Sequence, residues 1–267
     1  MASFAFADNL ILIFKVTVTP LLVALASLAA RRWGPRVGGI LIGFPVMTGP
    51  IALFLALEQG VAFAARASVG ILLALIAVAG WIVIYAWLAP RARWPLALAL
   101  ASVGYVLPGY WLAGLETRPA VAAALAIAAI LAAIVAIGHP RGARITGPVP
   151  WWDIWLRMLV SATLVTGITL AAERLGPMAS GIVGTFPAIS TVVVTFTHHR
   201  WGAGAATAIM RGLLLSLLSF ASCFLVIGEL IISHGIAVSF LLGVLAGGVT
   251  SLAVLSADGW LRRSSES

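Results

Sequence analysis

The chain has 267 residues, of which 62% are hydrophobic and only 9% charged, and its mean hydropathy is +1.13. That balance excludes a water-soluble globule and points to an integral membrane protein. The formal net charge of +8 lies in short basic loops, where topology and anionic headgroups account for it, so nucleic acid is not an expected partner.

The first residues, MASFAFADNL, lack the basic segment of a secretory signal, so no cleaved leader is expected. The lone Cys223 excludes an internal disulfide and reads as a small core hydrophobe rather than a metal ligand.

A helix crosses the hydrocarbon with about 20 apolar residues. Nine segments reach that length, at roughly 9–30, 37–57, 62–89, 95–115, 119–138, 153–172, 179–197, 203–228 and 235–257. The loops after the odd-numbered spans hold Arg31, Arg32, Arg36, Arg91, Arg93, Arg141, Arg144, Arg200, Arg262 and Arg263. Loops on the opposite side hold only Arg118 and Arg174. The bias predicts a multi-pass inner-membrane protein with its N-terminus outside and its C-terminus cytoplasmic.

The chain also repeats itself. Setting Pro45 against Pro187 gives an offset of 187 − 45 = 142, and no gap is needed on either side. Lys15 then pairs with Arg157, Gly34-Pro35 with Gly176-Pro177, Gly39-Ile40 with Gly181-Ile182, Phe44-Pro45 with Phe186-Pro187, and Gly60 with Gly202. Shared Leu and Ala carry little weight in such apolar sequence; Gly-Pro and Phe-Pro in register carry much more. The expected organisation is a four-span repeat over 1–116, a linker span and loop over 117–150, and a second four-span repeat over 151–267. The fifth span has no counterpart, and this extra crossing would invert the second copy relative to the first. The expected fold is therefore all-α, with two inverted repeats and with helices two and seven broken. A duplication kept for folding symmetry alone is the alternative.

The stretch from Trp155 to Leu215, with Arg157, GIVGTFPAIS and THHRWGAGAATAIMRG, resembles the GlpM-like small inner-membrane proteins. Those are four-span chains with an early basic residue in span one and an apolar-Phe-Pro segment in span two. The resemblance implies architecture and membrane location more than an activity. This chain departs from the pattern as a tandem fusion, and its first copy has Gly49-Pro50 where the second has Thr191-Val192.

The two breaks, GFPVMTGP from Gly43 and GTFPAIST from Gly184, are the candidate site. Proline removes a backbone donor and disturbs the preceding turn, and lipid cannot satisfy the groups set free. Pro45 lies about 12 Å into its span. Pro187 lies comparably deep from the other side, so the breaks are expected to face each other near the midplane. Helix starts beyond each break favour an anionic group, with hydroxyls supplied nearby. The expected solute-binding residues are Gly43, Phe44, Pro45, Thr48 and Gly49, with Thr185, Phe186, Pro187, Ser190 and Thr191. An ordinary proline kink used for packing is the competing reading.

Four cations, Lys15, Arg66, Arg157 and Arg211, fall inside the expected spans, and no Asp or Glu lies near a span centre. Arg66 and Arg211 read either as snorkelling side chains or as site groups. Lys15 and Arg157 occupy equivalent positions and are expected to draw an anion from opposite faces, unless they neutralise Asp8 and Asp153. His198-His199-Arg200 reads as a basic interfacial flank, and the patterns Gly39–Gly43 and Gly243–Gly247 as close-packing signals. Trp94, Trp151, Trp152 and Trp260 read as interfacial anchors.

No nucleotide-binding loop, zinc-protease motif, serine-nucleophile elbow or intramembrane carboxylate pair is present, so no enzyme, cofactor or metal is expected. The expected function is a secondary transporter or exporter of a small organic or anionic solute. A passive channel and a non-transporting accessory protein are the alternatives. The expected partners are that solute and the surrounding lipid, and a homodimer is compatible with this reading.

Overall fold

In the computed structural model, the backbone is described for residues 2–43, 48–138, 150–184 and 186–266. Side chains are described within those ranges except at 2–16, 51, 55, 113, 169–184 and 258–266. Among the described residues the secondary structure is entirely helical, in the order α1 Ala2–Trp33, α2 Pro35–Gly43, α3 Thr48–Gln59, α4 Val61–Leu88, α5 Trp94–Ala113, α6 Pro119–Ile137, α7 Trp152–Gly184 and α8 Ala188–Glu266.

Five stretches of the described residues are long and apolar enough to cross a membrane: Pro35–Gln59, Val61–Leu88, Trp94–Leu112, Pro119–Ile137 and Ala188–Ala257. The chain is thus a multi-pass membrane protein in its architecture. The last stretch has 70 residues, about 105 Å of helix and far more than one hydrocarbon core. It is bent at Gly202 and Gly235, which divide α8 into three stretches (188–201, 203–234 and 236–266).

Gly60 and Gly202, 142 residues apart, share one conformation: φ 84°, ψ 172° at the first and φ 80°, ψ −178° at the second. A side chain is strongly disfavoured at such positive φ, which explains glycine at both turns. The two segments differ elsewhere. Gly34, with φ 97°, separates α1 from α2, whereas helix runs on from Trp152 through Gly184. The loop expected at about residue 176 is therefore not seen as a gap between helices.

α8 and α4 organise the bundle. α8 packs against α2, α4 and α6, α4 also packs on α5 and α6, and α1 packs on α7 and α2. Trp81, Tyr85, Tyr105, Ile130, Met210 and Phe224 are fully enclosed. Both expected close-packing patterns do pack closely. A Cβ on Gly39 would stand 1.9 Å from the Ile209 carbonyl oxygen, and one on Gly212 would stand 2.1 Å from that of Arg36. Gly43 lies against Ser216, and Gly243 and Gly247 lie against the turns around Cys223 and Ser219. Cys223 itself is a free, buried core residue. The outward faces remain apolar, with Trp111, Val135, Leu241 and Leu252 each more than half exposed, as expected of lipid-facing surface.

α6, the span without a counterpart, shows how its neighbours complete a membrane helix. Pro119 begins it, where a missing amide costs nothing, and Gly138 at φ 64° ends it. The small-residue row Ala122, Ala126, Ile130 and Ala133 is buried, while Val121, Leu125, Leu131 and Val135 face outward. Its end groups are met by charges on α8. The Ala120 amide donates to Glu229 (3.0 Å), and Arg211 donates to the carbonyls of Ile134 (3.2 Å) and Gly138 (2.6 Å). An acid at the N-terminus and a base at the C-terminus both match the helix dipole.

Candidate functional site

Two places carry chemistry, and the structure separates them. The first is the pair of Phe-Pro segments expected to break their helices. At the second of them α7 stops at Gly184, α8 starts at Ala188, and the helix lapses over Phe186 and Pro187. Phe44, Pro45 and Thr185 lie outside the described residues. Of the others, Gly43 is buried, and Thr48, Gly49, Phe186 and Pro187 are half-buried.

The second break can be followed closely. The Ala188 amide donates to the Phe186 carbonyl at 2.7 Å, and Thr191 opens the regular helix by donating to Pro187 at 2.9 Å. Phe186 stands edge-on to Tyr105 of α5, with ring centroids 5.5 Å apart. Beyond the break Ser190, Thr191, Thr195 and Thr197 are all buried, at 1–7% exposure. The Thr195 hydroxyl donates to the Thr191 carbonyl at 2.6 Å. The Thr191 hydroxyl has no partner among the described residues. A buried hydroxyl in that position costs roughly 1–3 kcal/mol unless something polar reaches it. Gly43 borders Ser216, and Ser216, Ile40, Leu215, Ser251, Val254 and Leu255 line a half-open crevice of about 10 Å³, room for one water.

The second place is a buried charge cluster. Asp153, in the first turn of α7, accepts through Oδ2 from Arg157 Nε at 2.7 Å and from Arg31 Nη2 at the end of α1. Arg200, at the end of the first stretch of α8, brings Nη1 to 4.0 Å from Oδ1. Arg157 is 1% exposed, and its guanidinium lies 4.9 Å from the Phe196 ring centroid and 5.7 Å from that of Trp201. Its Nη2, like Arg31 Nε, has no partner among the described residues. Side-chain exposure rises from 1% at Arg157 and 5% at Asp153 to 19% at Arg31 and 28% at Arg200.

These positions refine the expectations. Arg157 does neutralise Asp153, and it sits beside Phe196, about 14 Å of helix rise beyond Pro187, so it is not part of the break itself. The Lys15 side chain lies outside the described residues. Arg66 is exposed, as a snorkelling side chain would be, but Arg211 is buried and holds the end of α6. His198 shares a 3.1 Å hydrogen bond with Tyr85, and Arg200 joins the Asp153 cluster, so the basic flank is also a packing element. Trp94, Trp151 and Trp152 are exposed, as anchors would be, and the Trp260 side chain lies outside the described residues.

Sequence reasoning read Arg31 and Arg200 only as loop charges. The available signal was that Asp153 is an acid among basic loops, four residues before a cation in a helix. Protein-family models, curated proteins and solved structures, each searched, contain no match to this chain.

Proposed function

We propose that this chain is a secondary transporter or exporter for a small organic or anionic solute. The solute would pass the two Phe-Pro breaks near the middle of the membrane. The observation that carries the reading is the buried Thr191 hydroxyl, one turn beyond the Pro187 break, which has no partner among the described residues. Broken helices within a bilayer are tolerated where they are buried in protein or line a polar path, and doubled breaks in inverted repeats are a recurrent plan of such carriers. Gly60 and Gly202, alike in backbone and in repeat position, support the duplicated plan, and the resemblance to GlpM-like proteins fits it. In this arrangement the chain sits in an inner membrane with the Arg31, Asp153 and Arg200 end toward the cytoplasm.

The test is flux in proteoliposomes with a panel of small organic acids and inorganic anions. Saturation and counterflow are the expected results. Unsaturable current would make the protein a channel, and a complete lack of flux across the panel would remove transport.

A further inference from the structure

We propose that Arg31, Arg157 and Arg200 form an oxyanion-binding site in which the Asp153 carboxylate is an exchangeable internal counter-ion. The ligand would be a phosphate, sulfate or carboxylate group. This deepens the transport reading, on which it rests for the anionic class of the solute, but it is tested by binding alone.

The charge count is the first argument. Arg31 and Arg157 both bond the single Asp153 carboxylate, so among the described residues these two guanidiniums carry one positive charge more than it does, in a place largely cut off from water. Salt-bridge geometry that served stability alone would pair charges evenly, because an uncompensated buried ion is costly. The second argument is donor capacity. Oδ2 of Asp153 already takes two arginines, and Arg157 Nη2 and Arg31 Nε still have no acceptor among the described residues. A planar guanidinium presents donors in a fork that suits an oxyanion. The third is access. The cluster opens in order, with part-exposed Arg200 and Arg31 outermost and enclosed Arg157 innermost. An oxyanion entering past Arg200 meets the same donors that hold Asp153. It can displace the carboxylate from Arg31, the contact that ties α1 to α7. Phe196 and Trp201 hold the Arg157 guanidinium in place by stacking, which fixes the innermost donor whether the site is filled or not.

Two sources share this chemistry, a free oxyanion and the phosphate of an anionic lipid. The full-length chain would be melted in mild detergent against inorganic phosphate and sulfate, with chloride holding ionic strength constant. It would also be melted in nanodiscs of phosphatidylcholine with and without phosphatidylglycerol. The expected result is a saturable rise in melting temperature with phosphate or sulfate beyond that with chloride. Asp153→Asn should tighten the apparent Kd roughly tenfold or more, since a competing charge about one ligand diameter away is removed. Arg157→Gln should abolish the response. Stabilisation by phosphatidylglycerol and not by free phosphate assigns the site to a lipid headgroup and upholds the proposal.

The proposal is overturned if neither phosphate, sulfate nor phosphatidylglycerol stabilises the unmutated chain more than chloride does. A response retained in Arg157→Gln also overturns it. Where Asp153→Asn does not fold, Arg200→Gln changes only a part-exposed arginine and must weaken phosphate binding, and unchanged binding overturns the site. Oxyanion binding without flux upholds this site and removes the transport reading. Flux without oxyanion binding does the reverse.

Discussion

Arg31 and Asp153, 122 residues apart in sequence, form an ion pair that joins the last turn of α1 to the first turn of α7. Arg200 approaches the same carboxylate, and His198 shares a hydrogen bond with Tyr85 near the end of α4. The ends of α1 and α4, the start of α7 and the first bend of α8 therefore gather at one end of the bundle. Glu229, Ala120 and Ser68 gather at the other, where Gly228 borders Pro119 and Ser68.

Side-specific labelling should follow that grouping. In a Cys223→Ser background, cysteines at Arg32, Arg93 and His199 should all resist an impermeant reagent in intact cells, while those at Glu116 and Ser233 should react. Mixed reactivity within either group would refute the shared-end arrangement.

Asp153 is expected to be the most sensitive residue of its cluster. Asp153→Ala leaves three guanidiniums without their shared carboxylate, and breaking a buried pair this way costs about 3–5 kcal/mol. Adding Arg157→Met should recover part of that loss, because the innermost unpaired charge goes with it. Detergent melting of both single mutants and the double mutant checks this, and simple additivity would contradict the coupling.

The clamp on α6 makes a separate prediction. Arg211→Met removes both donors to the α6 carboxyl end and should destabilise by about 1–3 kcal/mol, with Glu229→Gln nearer the low end. Oxyanion binding at the Arg157 cluster should be unaffected. A loss of binding without a change in melting would give Arg211 a role in the site.

Close approach of α2 to the second stretch of α8 should tolerate no added carbon. Gly39→Ala and Gly212→Ala each push a Cβ into a facing backbone carbonyl and should cost at least about 1–3 kcal/mol. Gly49→Ala and Gly70→Ala meet nothing within 4 Å among the described residues and should be nearly neutral. The contrast can be read from melting curves of the four variants.

At the breaks, Pro45→Ala and Pro187→Ala should insert and fold yet lose most flux, because a continuous helix would close the polar path. Thr191→Val, which deletes one hydroxyl and keeps the shape, should do the same. Full flux in a well-folded double proline variant would show the breaks to be packing kinks.

Much of the architecture was legible in the chain because membrane folding is written locally. A run of apolar residues must become a helix, since no other open structure satisfies its backbone in lipid. Proline at residue 187 and glycine at 60 and 202 act on the backbone next to them, so that interruption and those turns could be placed from sequence. The Gly39–Gly43 and Gly243–Gly247 patterns likewise announced close packing, though not against which helix. Tertiary structure alone decided the lateral partners. Periodicity does not say that Arg211 belongs to the end of α6 or that Glu229 belongs to its beginning. Nor does it say that Arg31 and Arg200 share one carboxylate with Arg157. Arg31 and Arg200 lie 122 and 47 residues from Asp153 along the chain and reach it only by how α1, α7 and α8 pack, because the range of a charge is set by distance in space.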